Sequence, residues 1–151
     1  MKLDILVFAA HPDDAELGCG GTIIKHTSNK LKVGVIDFTK GELGTRGSAK
    51  VRINEANTAS NIMKLTIREN LSFDDGFFVN DDKHKKILIQ KIRKYKPESF
   101  QSGDILDVKG KVIGKHEGII NFTIGQRKGI GIAFKEPLYV ADINAKKNEV
   151  V

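Results

Sequence analysis

The chain has little that would staple it, anchor it or spread it over a polyanion. A single cysteine, Cys19, in 151 residues excludes an internal disulfide and fits a reducing compartment. The opening apolar run, Ile5–Ala10, falls far short of the roughly 20 residues that cross a bilayer. Met1-Lys2-Leu3-Asp4 before it lacks the charge pattern of a secretory signal. A soluble, cytoplasmic protein with no membrane partner is expected. Blocks of like charge are also missing. The formal charge of +6 divides as +4 over residues 1–99 and +2 over residues 100–151. The densest basic group, Lys83, Lys85 and Lys86, reads as a solvated helix face rather than a nucleic-acid patch. No internal repeat and no low-complexity tract occurs.

Two unlike parts remain. Up to Pro97 the pattern alternates strand and helix, which implies βαβ units and a parallel sheet. Leu3–Phe8 is apolar on both faces, as a central parallel strand should be. A helix opened by Gly18, Gly20 and Gly21 follows to about Asn29, then a strand at Lys32–Phe38. Ser48 is an N-cap for a helix through Met63, with Val51, Ala56, Ala59 and Met63 near one face. A short strand near Thr66–Leu71 precedes a helix capped by Asp81 or Asp82, along which Leu88, Ile92 and Tyr95 recur. From Phe100 onward the grammar changes, with seven of the 15 glycines in the last third. Ile105–Val108 and Lys111–Ile113 flank the hairpin signal Lys109-Gly110, and Leu138–Ile143 and Glu149–Val151 read as further strands. The expected fold is α/β: an incomplete Rossmann-like parallel sheet with helices over residues 1–97, then a small β module over 98–151.

The chemistry concentrates in Ala10-His11-Pro12-Asp13-Asp14, at the carboxyl end of the first strand, where open α/β sheets collect ligands. Imidazole and carboxylate bind zinc or a similar divalent ion, and a spare carboxylate beside it can accept a proton. The bland alternative makes His11 and Asp14 loop groups that cap the following helix. The glycines after the motif form no phosphate loop, because no Gly-Lys-Ser/Thr ending follows them. Close packing of helix on strand explains them better. Cys19, with no partner histidine in phase, reads as a small buried residue, and His26 and His84 as surface residues. Asp74-Asp75 before Gly76 reads first as a turn.

This motif, continued by Glu16-Leu17-Gly18-Cys19-Gly20-Gly21-Thr22-Ile23, resembles the PIG-L/LmbE-type de-N-acetylases. Gly44-Thr45-Arg46-Gly47, Arg52 with Glu55, and Asp75-Gly76-Phe77 resemble, within that family, the deacetylase of bacillithiol biosynthesis, which acts on N-acetylglucosaminyl malate. The resemblance covers about the first 97 residues. It implies zinc on His11 and Asp14, Asp13 as general base, and contacts from Arg52 and Asp75 to a small N-acetylglucosaminide. It also implies a third zinc ligand from a downstream His-x-x-His pair, and none of the four histidines stands in one. The zinc site is therefore expected to be incomplete unless His116 or a second chain supplies the ligand. The sheet is cut as well: the first strand should lack one neighbour, and such an unpaired edge favours oligomers.

The tail resembles another family. Ser102-Gly103-Asp104-Ile105, Gly114-Lys115-His116-Glu117-Gly118, Phe122 through Ile132 with Gly125-Gln126-Arg127-Lys128-Gly129 at its centre, and Glu136-Pro137-Leu138-Tyr139-Val140 resemble the central β module of the tRNA-specific 2-thiouridylases (the MnmA family). That likeness implies tRNA as a partner, with Arg127 and Lys128 facing its phosphates. The thiolation machinery is absent, since no Ser-Gly-Gly-x-Asp-Ser loop occurs. The whole reads as a chimera of two incomplete proteins joined near residues 97–102.

Overall fold

A computed structural model describes all residues, Met1–Val151. The chain divides into two compact units, Met1–Lys96 and Pro97–Val151. No helix is long and apolar enough to cross a membrane.

In the first unit β1 (Ile5–Ala9), β2 (Val33–Asp37) and β3 (Ile67–Asn70) form a parallel sheet in the order β1-β2-β3. Helices α1 (Asp14–Ser28) and α2 (Ala49–Ile62) make the crossovers, and α3 (Asp82–Tyr95) follows the last strand. Side chains alternate along each strand and so build two cores. Ile5, Val7, Val33 and Val35 pack with Ala15 and Ile23 of α1 and with Met63 at the end of α2. Leu3, Leu6, Phe8 and Ile36 pack against Tyr95 of α3 on the opposite face. Gly34 belongs to that second face, where an added Cβ would lie 2.8 Å from Cγ1 of Ile67, so only glycine allows the approach.

The buried centre is β2 rather than β1. Every residue of β2 is buried, whereas Ile5–Phe8 are half-buried, because β1 has one neighbour in its sheet. The helix after the motif also begins earlier than the glycines, at Asp14, and kinks at Cys19 (φ −148°, ψ 20°). Close packing does not account for Gly18, Gly20 and Gly21: a methyl group on any of them would meet nothing within 4 Å. Ala15, Cys19 and Ile23, spaced four apart, make the inward contacts of α1 instead. Ser48 caps α2 by accepting from the Val51 amide, and Asp81 caps α3 by accepting from His84. His84 is not a surface bystander, since its ring stands edge-on to Phe73 at 4.6 Å within a cluster that includes Phe38 and Phe78.

The second unit holds β4 (Gly103–Leu106), β5 (Val112–His116), β6 (Ile143–Asn144) and β7 (Glu149–Val150) in the order β5-β4-β7-β6. β4 and β5 form the expected hairpin around Lys109-Gly110. The strand expected at Leu138–Ile143 shrinks to β6. Val140 instead exchanges backbone bonds with Gly125 and Gln126, and Asp142 with Val151, so no regular ladder develops. Ile105, Val140 and Val150 are its fully buried centre.

Candidate active site

Three strand ends converge above the sheet of the first unit. β1 runs into His11, β2 into the loop Thr39–Leu43, and β3 into Ser72–Gly76. The pairing of β1 with β2 continues past the strands, through Phe38 N to Ala9 O at 2.8 Å and Thr39 N to Ala10 O at 3.0 Å. Thr39, fully buried, also donates its hydroxyl to Ala10 O, which fixes the backbone just before His11.

The motif then turns tightly on buried Pro12. Asp13 N and Asp14 N both donate to His11 O, and the Asp14 carboxylate returns to accept from His11 N at 2.9 Å. This closure places Asp14 Oδ2 3.3 Å from His11 Nδ1. Asp13 turns the other way. Its Oδ2 lies 3.7 Å from Nη1 of Arg52, and both residues line a cavity of about 350 Å³ with Glu16, Arg46 and Glu55. Arg52, projected from the first turns of α2, is seated against the loop at Gly41–Gly44. An added Cβ at Gly44 would lie 2.8 Å from its Cζ.

The other nitrogen of the His11 ring meets Asp75. His11 Nε2 and Asp75 Oδ1 are 2.9 Å apart, and Asp75 Oδ2 accepts from Leu43 N at 3.1 Å. The Asp75 amide donates to Glu42 Oε1 at 3.0 Å, so the two loops interlock. Partial burial works against an imidazolium at His11, but the hydrogen bonds and charges of Asp75 and Asp14 outweigh it and hold its pKa above the ordinary value. The Leu43 amide, together with His11, holds the Asp75 carboxyl below the usual carboxylate range.

Of the residues singled out by the sequence, His11 stands beside Asp14 and Asp13 beside Arg52. Asp75 joins them as a neighbour of His11. Two residues next to the site were missed as partners: Glu42, and Arg68, which anchors Glu16 of α1 and Asp37 of β2. An ionised side chain inside a short strand such as Ile67–Asn70 was the available signal for Arg68. His116 lies in the second unit. It is buried there with both ring nitrogens engaged, Nδ1 by Gly118 N at 3.0 Å and Nε2 by Asn148 O at 3.1 Å. It is therefore no spare metal ligand, and no group of three histidine, cysteine, aspartate or glutamate side chains is arranged to hold an ion. Arg127 and Lys128 belong to the second unit, where Arg127 lines a separate cavity of about 410 Å³ with Gly129, Lys135 and Glu136.

A family model described as GlcNAc-PI de-N-acetylase (PIG-L) matches residues 6–112. The chain belongs to the PIG-L family. Three solved structures carry the same fold. The conserved protein TT1542 from Thermus thermophilus is 42% identical with a TM-score of 0.58, over 61% of this chain and 42% of that protein. The N,N'-diacetylchitobiose deacetylase of Pyrococcus horikoshii is 27% identical with a TM-score of 0.57, over 60% of this chain and 36% of its own. GalB, the 4-carboxy-2-hydroxymuconate hydratase of Pseudomonas putida KT2440, is 27% identical with a TM-score of 0.54, over 65% of this chain and 45% of its own. The PIG-L fold is thus present as a part, less than half of each solved relative.

A second family model, the PRC-barrel domain of a tRNA methyl transferase, matches residues 90–151 and overlaps the PIG-L range. The tRNA-specific 2-thiouridylase MnmA of Wolbachia sp. subsp. Brugia malayi is 52% identical over 87 residues, which are 58% of this chain and 22% of that protein. The Agrobacterium fabrum MnmA is 36% identical over 116 residues, 77% of this chain and 27% of its own. The chain spans about a quarter of the length of these curated relatives. A PIG-L segment is followed by a segment similar to the tRNA-specific 2-thiouridylases.

Proposed function

We propose that the first unit is the metal-holding half of a zinc-dependent de-N-acetylase, an amide hydrolase for an N-acetylglucosaminyl conjugate such as N-acetylglucosaminyl malate. The observation that carries this reading is the opposed aim of two adjacent carboxylates, Asp14 back onto His11 and Asp13 into the cavity beside Arg52. The donor pair fits the ion. Two ligands of a tetrahedral zinc with bonds of about 2.0–2.1 Å stand about 3.3 Å apart, and His11 Nδ1 and Asp14 Oδ2 are separated by 3.3 Å. A bound zinc would polarise the amide carbonyl and bring the pKa of a water towards about 7.

The chain's own groups account for the proton traffic. Asp13 takes one proton from the attacking water and returns it to the nitrogen as the C–N bond breaks, so the amide and water leave as amine and acetic acid, whose carboxyl proton is then lost to solvent or to the amine. Arg52, 22% exposed at its side chain, offers the cavity a fixed cation for a substrate hydroxyl or carboxylate. The deacetylase named among the structural relatives acts on an N-acetylated sugar, which supports the same substrate class here. With two protein ligands where a catalytic zinc ordinarily has three, the reading includes weak zinc binding and impaired turnover.

Zinc titration together with acetate release from N-acetylglucosaminyl malate tests the proposal. Saturable uptake of one zinc per chain in titration, lost in His11→Ala, and slow acetate release, lost in Asp13→Asn, are expected. Equal zinc affinity in the wild type and His11→Ala, or no acetate at high enzyme and saturating zinc, would overturn it.

A second reading concerns the second unit alone. Its likeness to MnmA supports tRNA as a partner, through Arg127 and Lys128 beside Gly125 and Gly129. Phosphate contacts of that kind give binding that weakens steeply with salt. Loss of salt-sensitive tRNA binding in Arg127→Ala is the expected result, and binding unchanged by that substitution would remove the reading.

A further inference from the structure

We infer that Asp75 is a positioning residue that selects the tautomer of His11, placing the ring proton on Nε2 and leaving the Nδ1 lone pair free on the side where Asp14 Oδ2 lies 3.3 Å away. This rests on the de-N-acetylase reading for its purpose, though its test does not. His11 lies between two carboxylates that are not equivalent. Asp75 Oδ1 is 2.9 Å from Nε2 and its side chain is 8% exposed, whereas Asp14 Oδ2 is 3.3 Å from Nδ1 and its side chain is 46% exposed. A neutral imidazole has one N–H to give. The shorter contact, to the less solvated carboxylate, claims it, because an unmatched acceptor costs more there than at an exposed position.

Asp75 itself cannot turn away. Leu43 N donates to Oδ2 at 3.1 Å, and the Asp75 amide is tied to Glu42 Oε1 at 3.0 Å. Glu42 in turn accepts from Lys40 N at 3.1 Å. The loops after β2 and β3 thereby fix a carboxylate behind the histidine that follows β1. A metal-binding histidine commonly gives its other N–H to a carboxylate, which sets ring orientation and raises ligand basicity. The arrangement also gives Asp75 a partner inside the protein, His11, alongside the substrate contact expected from sequence.

The same geometry makes Asp75→Asn an inverting substitution. Leu43 N still donates, so the asparagine carbonyl must face it and the amide NH2 must face His11. Nε2 then has to accept, and the ring proton moves to Nδ1, where it occupies the lone pair that a cation needs.

Long-range proton–nitrogen NMR of the metal-free 151-residue chain labelled at histidine distinguishes the two tautomers. The His11 signal is identified by its loss in His11→Ala, and spectra are taken where the imidazole is neutral. The expected result is Nε2–H in the wild type and Nδ1–H in Asp75→Asn, with zinc affinity measured by chelator competition reduced 10–100-fold in the variant, on the order typical for such supporting carboxylates. A wild type already protonated at Nδ1 overturns the inference, and this measurement needs no variant to fold. An Asp75→Asn protein that melts like the wild type but keeps the Nε2–H tautomer also overturns it, as does an inverted tautomer with unchanged zinc affinity. If neither protein binds zinc while the tautomer inverts, the de-N-acetylase reading falls and the role of Asp75 stands.

Discussion

Arg68 grips Asp37 with two nitrogens, Nε to Oδ2 at 2.7 Å and Nη2 to Oδ1 at 2.9 Å, and reaches Glu16 with Nη1. Four elements meet in this one guanidinium: β3 supplies it, β2 and the first turn of α1 supply the acids, and Ala56 O of α2 accepts from it at 3.1 Å. The side chains of Arg68 and Asp37 are 6% and 3% exposed. Removing one member of such a buried pair leaves an uncompensated charge, so Arg68→Met should destabilise the first unit by about 3–5 kcal/mol. Urea unfolding followed by circular dichroism measures this. The double variant Arg68→Met with Asp37→Leu should recover part of the loss, and losses that simply add would contradict the account.

Glu69 gives the pH prediction. Burial alone would raise its pKa, but Lys91, Tyr95 and Lys94 hydrogen-bond its carboxylate and lower it to about 2. A folded-state pKa below the unfolded value means that the unfolded chain binds the proton first. The contribution of Glu69 is then complete above about pH 4.3, the unperturbed value, and fades as the pH falls towards about 2. The gap in Tm between wild type and Glu69→Gln should be constant near neutrality and close over that acid window. A gap independent of pH would show that the carboxylate charge is not what holds α3.

His116 tests the boundary of the metal site. Its Nδ1 and Nε2 are both committed to backbone groups, and Phe122 stands edge-on to its ring at 5.6 Å. His116→Ala should lower the stability of the second unit by about 2–4 kcal/mol, through loss of the partners of the buried Gly118 amide and the half-buried Asn148 carbonyl. Zinc binding should be unchanged by it. A loss of zinc in His116→Ala equal to that in His11→Ala would make it a ligand after all.

Gly44 controls Arg52 by yielding space. A methyl group there would collide with the guanidinium, so Gly44→Ala should push Arg52 away from Asp13 and weaken substrate binding. A KM raised several-fold with zinc affinity unaltered is the expected outcome of steady-state assays. A variant with wild-type KM would detach Arg52 from substrate recognition.

What could be read from sequence was whatever depended on neighbouring positions. His11 and Asp14 are three residues apart, and their encounter follows from one turn on Pro12. Ser48 and Asp81 announced two helix starts for the same local reason. Arg52 was reached through a family resemblance, because its approach to Asp13 spans a whole crossover and the loop beyond it. The partnership of Asp75 with His11 bridges 64 positions and requires the loops after β2 and β3 to interlock, so the sequence offered only a turn before glycine. The apolar run of β1 reads as a central strand because hydrophobicity reports burial from above and below a sheet; the missing lateral neighbour followed from the family resemblance instead. The tail misled for the opposite reason: Val140 is buried by loop contacts that leave no ladder to carry the expected alternation.

The one-sided pairing of β1 has a dynamic corollary. Alternate peptide groups of Ile5–Ala9 face away from β2, while both flanks of β2 are bonded. Deuterium should enter β1 well before it enters β2, since local fraying precedes cooperative opening. His11 is mounted at the tip of the strand with less sideways support, and the ties from Thr39 and Asp75 then act as guy-lines that keep the imidazole still while the strand beneath it breathes.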